Sequence, residues 1–142
     1  MKRTVLFLCT GNYYRSRFAE AVFNHHAGDR LPGWTACSRG LATHMAQGDL
    51  ARETLEGLRE RGIDLAHTAP TRRSLTEADL TEAARVIALH EPEHRPLLHA
   101  QFPDWCARTT FWTVADVDQL HPGHALPEIE RRVLELIGEL AP

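Results

Sequence analysis

Short runs of strand-forming residues alternate along this chain with segments whose apolar positions recur at helical spacing, and few folds accept that order. Thr4 to Cys9 is the first apolar run, and Arg15 to Gly28 follows it with Phe18, Ala19, Val22 and Phe23 on one helical face. A second strand is expected at Trp34 to Ser38. Asp49 to Arg61 then sets Ala51, Leu55 and Leu58 on a helical face before Gly62 stops it. Arg85 to Leu89, built on Val86-Ile87-Ala88-Leu89, reads as a buried strand, Pro92 to His99 as a helix with proline in its first turn, and Thr109 to Val114 as a further strand. A last helix after Pro127 carries the stripe Leu126, Ile129, Val133, Leu136, Ile137 and Leu140. This order predicts an α/β fold: a parallel sheet wrapped by helices on both faces, with a functional site at the carboxyl ends of the strands.

The 142 residues suit one domain over 1–142. A formal charge of -3, with acidic and basic residues intermixed, offers no basic face for nucleic acid and no polybasic patch for a membrane. Met1-Lys2-Arg3 before Thr4 to Cys9 has the look of a secretion signal, but the apolar run is too short and Gly11-Asn12 ends it. No other segment is apolar enough to span a bilayer. Cys9, Cys37 and Cys106 are odd in number and widely spaced, which suits neither a disulfide framework nor a paired zinc motif and points to a reducing, cytoplasmic compartment.

Chemistry concentrates in Cys9-Thr10-Gly11-Asn12-Tyr13-Tyr14-Arg15-Ser16, which runs from a strand end to a helix start. Five residues between Cys9 and Arg15 are enough to curl once around a phosphate. Backbone N–H groups of Thr10, Gly11, Asn12, Tyr13 and Tyr14 would then point inward as an anion nest, reinforced by the positive end of the helix. Gly11 permits a tight backbone. The same field favours a thiolate at Cys9, to which Ser16 can donate a hydrogen bond, and the planar fork of Arg15 can grip two phosphoryl oxygens. Lys2 is the only lysine, so arginine is abundant and a bare Cys-to-Arg spacing means little. The setting of strand, glycine, serine and helix carries the inference.

With these residues the chain resembles the low-molecular-weight protein tyrosine phosphatases, whose loop reads Cys, any, Gly, Asn, any, any, Arg, Ser. Ser38-Arg39-Gly40, the stretch Arg61-Gly62-Ile63-Asp64 with His67, Leu80 to Leu89, Phe102-Pro103, and Phe111 to Asp116 extend the likeness over nearly the whole chain. The resemblance implies a three-layer sandwich with a four-stranded parallel sheet and helices on both faces. It also implies that Cys9 attacks phosphorus and that Arg15 binds the phosphoryl oxygens. Asp116 would serve as general acid and then base, while Asn12, Ser38 and His67 support the loop. Substrates would be a phosphotyrosine protein or a small aryl phosphate, with inorganic phosphate as product and neither cofactor nor metal required.

The chain also departs from the family. Tyr14 stands where many members carry a second cysteine, and Arg17 where proline or threonine is usual. Asp116-Val117-Asp118 replaces Asp-Pro-aromatic, which leaves Asp118 as an alternative acid; counting from Trp112 favours Asp116. His44 and Asp118 match the positions of the family's aromatic cleft walls, which puts phosphotyrosine preference in question.

Two further readings compete on the same loop. Arsenate reduction on the same fold needs a closely spaced pair of further redox cysteines, which Cys37 and Cys106 do not form in sequence. A non-catalytic phosphate-binding module would fit the imperfect Asp-Val-Asp segment but not the complete set of Cys9, Arg15 and Ser16. The string His90-Glu91-Pro92-Glu93-His94 imitates a zinc protease motif, yet Pro92 is expected to start a helix and so to place the two histidines on different elements. His121-Pro122-Gly123-His124 reads as a surface turn, His25-His26 as a helix end and Cys37 as a small core residue.

Overall fold

The computed structural model describes residues 2–142; Met1, at the charged start weighed above, lies outside them. Four strands, β1 (Arg3–Cys9), β2 (Trp34–Gly40), β3 (Arg85–Ala88) and β4 (Thr110–Phe111), form one sheet in the order β2-β1-β3-β4. Every pairing is parallel. Five helices connect and cover them: α1 (Arg15–Ala27), α2 (Arg52–Glu60), α3 (Glu77–Glu82), α4 (Glu91–Gln101) and α5 (Pro122–Leu140).

Strand alternation divides the core. Val5, Phe7 and Ile87 project into a layer with Phe18, Val22 and Phe23 of α1, Leu58 of α2, and Ile129, Val133 and Ile137 of α5. Leu6, Leu8, Val86 and Ala88 face the other way, onto Leu80 of α3, Leu98 of α4 and Cys106. Both faces of the sheet are thus covered, which is why its strands read as continuous apolar runs. Among the described residues no helix is long and apolar enough to cross a membrane.

Several boundaries differ from the sequence expectation. β4 is two residues long, although Trp112 N–H still reaches Ala88 O at 2.8 Å and Val114 N–H reaches Leu89 O at 2.7 Å. The expected turn at His121-Pro122-Gly123-His124 is instead the opening of α5. His121 is the N-cap, its Nδ1 accepting from Gly123 N–H at 2.9 Å, and Pro122 takes the first helical position, where its missing N–H costs nothing. Helix α3 was not foreseen: it is a six-residue element held by a Thr76/Asp79 capping box rather than by a long apolar stripe.

Candidate active site

Strand β1 delivers Cys9 to the carboxyl edge of the sheet, and α1 begins at Arg15, so residues 10–14 must turn between them. The conformational demand falls on Asn12, which has φ of +51°, rather than on Gly11. Asparagine tolerates this left-handed region, and here its side chain anchors the turn. Asn12 Nδ2 donates to Ser16 Oγ at 3.0 Å and to Ser38 Oγ at 2.9 Å, while Oδ1 accepts from Arg73 N–H at 2.8 Å. Gly11 and Gly40 serve close approach instead. A Cβ on Gly11 would lie 2.7 Å from that of Ala46, and one on Gly40 would lie 2.9 Å from Thr10 O.

Cys9 is buried, with Sγ 2.9 Å from Ser16 Oγ. As a thiol Cys9 donates to that oxygen, which also accepts from Asn12, and the Ser16 proton can turn to the sulfur once it is a thiolate. Tyr14, at the N-cap of α1, supplies no side-chain acceptor, so the first-turn N–H groups remain available to an anion. Behind the loop Ser38 and Thr68 hydroxyls both donate to Glu20 Oε1 at 2.7 Å, and Arg17 Nε donates to Thr68 Oγ1 at 2.7 Å. Ser38 therefore stands in the loop's support. His67 does not. The short 3₁₀ turn Leu65–His67 sets its ring against His25, at 5.7 Å between centroids, and the next residue, Thr68, fills the inward position.

Arg15 is 2% exposed and its guanidinium is divided between two tasks. Nη1 and Nη2 donate to Glu93 at 3.1 and 2.7 Å, and Nη1 also donates to Val114 O at 3.0 Å. Nε is buried with no partner, and Nη2 lies 3.4 Å from Asp116 Oδ2. The edge formed by Nε and Nη2 is the one left for a ligand. Asp116 sits beside it, half-exposed, whereas Asp118 is exposed at the mouth.

Glu93, Thr10 and His94 form a cluster that sequence reasoning missed. His94 is fully buried; its Nδ1 accepts from His90 N–H at 2.9 Å, which leaves the proton on Nε2, 3.2 Å from both Glu93 Oε2 and Thr10 Oγ1. Thr10 Oγ1 donates to Glu93 in turn. Burial alone would raise the Glu93 pKa, but hydrogen bonds from His94, Arg15 and Thr10 outweigh it and hold the carboxyl far below the usual carboxylate range. Burial pushes the His94 pKa down from 6.5, against the pull of Glu93. His90 is the N-cap of α4 and His94 lies inside it, as Pro92 predicts; the His94 ring nitrogens are committed to the backbone and to Glu93.

A neutral His94 has a stated pH consequence. Its folded pKa lies below the unfolded one, so the unfolded chain binds more protons and stability falls as the pH drops below 6.5. Between about pH 7 and about pH 5 the urea midpoint of wild type should fall further than that of His94→Asn. Parallel curves for the two proteins would show that His94 is not held neutral.

The cleft over the loop has a volume of about 920 Å³. Tyr13 and Tyr14 line it from the loop, Met45 and Ala46 from one side, and Pro92, Pro96 and Leu97 of α4 from the other. His44, expected as a wall, instead faces a separate shallow pocket with Asp49, Arg72 and Ser74, because the 3₁₀ turn Thr43–Met45 rotates Met45 toward the cleft. Asp118 does line the mouth, together with Val117.

A strand-to-helix anion loop with a buried cysteine and arginine, open to a cleft at the switch side of a parallel sheet, defines an enzyme that handles oxyanions. Residues 4–113 match the low molecular weight phosphotyrosine protein phosphatases, and the chain belongs to that family. The low molecular weight protein tyrosine phosphatase from T. tengcongensis, a solved structure, has a TM-score of 0.77 and 28% identity, covering 98% of this chain and 97% of that one. Among curated relatives, the arsenate reductase of Bacillus licheniformis is 38% identical over 65 residues, 46% of this chain, which spans only 42% of that protein. Arsenate reductase 1 of Bacillus cereus is 30% identical over 110 residues, 72% of this chain and 77% of that protein.

Proposed function

We propose that this chain is a phosphate monoester hydrolase of one catalytic domain, acting on aryl phosphates and above all on phosphotyrosine in proteins. The observation that carries the reading is the unpartnered Nε edge of Arg15, facing a loop whose cysteine already meets the Ser16 hydroxyl. In the first step the Cys9 thiolate forms a bond to phosphorus as the ester P–O bond breaks, and Asp116 gives its proton to the leaving oxygen. In the second, water attacks the cysteinyl phosphate while Asp116 takes a proton; the S–P bond breaks, phosphate leaves and the thiolate returns. Arg15 and the loop N–H groups hold the three equatorial oxygens throughout. Asp116 is favoured over Asp118 because it lies beside the Arg15 edge where the phosphoryl group would sit. Tyr13, Met45 and Val117 give the slot aromatic and apolar walls suited to an aryl ring.

The names of the curated relatives raise arsenate reduction, which needs further cysteines able to bond Cys9 in turn. Cys37 pairs in register with Leu6, three residues back from Cys9 along β1. At ~3.3 Å per residue that is about 10 Å of strand, beyond disulfide reach of about 7 Å between Cα atoms. Burial also pushes the Cys37 thiol up to about 11, away from reactivity. Cys106 lies under the face of the sheet opposite α1. All three cysteines are free, which suits a reducing cytoplasm.

The deciding measurement is phosphate release from p-nitrophenyl phosphate set against thioredoxin-coupled arsenate turnover. The expected result is release that persists in Cys37→Ala and Cys106→Ala and slows in Asp116→Asn by about 10²-fold. Arsenate turnover lost on changing Cys37 or Cys106, with no phosphate release, would reverse the assignment.

A further inference from the structure

The floor of the cleft is built for an anion, but its mouth carries the opposite charge. Glu53, Glu93, Asp116 and Asp118 all line it, and among the described residues Arg15 is the only lysine or arginine that does. Glu93 and Asp116 face Arg15 and are balanced by it. Glu53, half-buried in the first turn of α2, and Asp118, exposed after Asp116, make neither hydrogen bond nor ion pair through their carboxylates among the described residues. A phosphorylated substrate must bring its dianion past these two carboxylates, which is unfavourable unless the substrate carries a compensating charge of its own.

A second observation lies on the same wall. Tyr14 is 6% exposed, lines the cleft, and its hydroxyl has no hydrogen-bond partner. Burial pushes the phenol up to about 12 against the charge of Arg15, with Asp116 and Glu53 raising it further, so the group is neutral and can accept from a cationic N–H. The hydroxyl keeps unused acceptor capacity in the cleft that Glu53 and Asp118 also line, and a guanidinium or ammonium is a donor suited to all three.

We propose that Glu53 and Asp118 make this site selective for phosphotyrosine flanked by arginine or lysine, with the Tyr14 hydroxyl taking a hydrogen bond from the same cation. The proposal rests on the phosphatase reading, whose nucleophile and arginine supply the phosphoryl end of the substrate. Selectivity of this kind acts on encounter and on binding of the flank, and it weakens as salt screens the mouth.

The test is the ratio of kcat/KM for two phosphotyrosine peptides that differ only in flanking arginine against flanking glutamate. Wild type should prefer the basic peptide by about ten-fold or more at low salt, and less at ~0.5 M salt. In the double variant Glu53→Gln, Asp118→Asn the ratio should fall toward one, and Glu53→Lys should favour the acidic peptide. Tyr14→Phe should lower the ratio in the same direction. Each ratio comes from one enzyme, so a general loss of activity cancels. A wild-type ratio near one, or a ratio that survives the double variant, overturns the proposal even with p-nitrophenyl phosphate turned over normally. If wild type does not hydrolyse p-nitrophenyl phosphate, the phosphatase reading fails instead, and the same ratio measured as Kd with Cys9→Ser still decides the charge preference.

Discussion

Replacing Cys9 by serine should reduce aryl phosphate turnover by about 10⁴-fold or more while inorganic phosphate still binds. The two outcomes separate because, in the proposed reading, the loop would hold an oxyanion by groups other than the sulfur: the N–H groups at the start of α1 and the unpartnered Nε of Arg15. A serine hydroxyl at position 9 ionises far less readily than the thiol it replaces, and its neighbour Ser16, a neutral hydroxyl, is no base to take its proton. Initial rates and a phosphate titration of the variant are sufficient. Turnover above about 1% of wild type would show that the nucleophile lies elsewhere. Removal of Arg15 would be less informative, because it also leaves the depressed Glu93 carboxylate without its partner.

The parts of the site that were legible in the sequence are those built by neighbours along the chain. Cys9 to Ser16 is one contiguous strand, turn and helix start, and local chemistry forces its shape: Asn12 can hold a positive φ, and Ser16, four residues on at the start of α1, comes within reach of its amide. The family pattern added Ser38, within β2, and Asp116, in the segment after β4, which lie against Asn12 and Arg15 of the loop. What stayed hidden is long-range or shifted by one residue. Thr10 meets Glu93 and His94 across sequence separations of 83 and 84, and the only local sign of those residues was a false zinc string. His67 and His44 both fail by a single step, because in each case a short 3₁₀ turn decides which neighbour points inward and composition carries no record of that rotation.

The cluster around Arg15 gives that arginine a different setting from a bare phosphate loop. Glu93 holds Nη1 and Nη2 from the helix side, which turns the Nε and Nη2 edge toward the place a phosphoryl group would take. Glu93 is in turn fixed by Thr10, the first loop residue, and by a histidine locked to the backbone of the α4 N-cap. The start of α4 and the phosphate loop are thus coupled through one carboxylate. A lengthening of the β3–α4 connection would be felt at Arg15, although Arg15 lies more than seventy residues earlier, 78 before Glu93.

Arg17→Met should cost about 3–5 kcal/mol of stability, the range expected when one member of a buried ion pair is removed and the other is left. Arg17 is 2% exposed and ties the site to two separate segments: Nη1 donates to Asp49 O at 2.9 Å, Nη2 to Ala69 O, and Nε to Thr68 Oγ1 at 2.7 Å. Burial pushes its pKa down and pushes that of Glu20 up, each opposed by the other's charge at 4.0 Å. Methionine keeps much of the volume but abandons four acceptors, Asn12 O among them, and leaves Glu20 buried among hydroxyls. Glu20→Gln in the same chain removes that stranded charge while its amide oxygen can still accept from Ser38 and Thr68. The double variant should therefore lose less than the sum of the two single changes, by about 0.5–3 kcal/mol. Urea unfolding of the four proteins reads the cycle directly. A single-variant loss below about 1 kcal/mol, or strict additivity, would mean that Arg17 is a solvated tether rather than the buried counterion of Glu20.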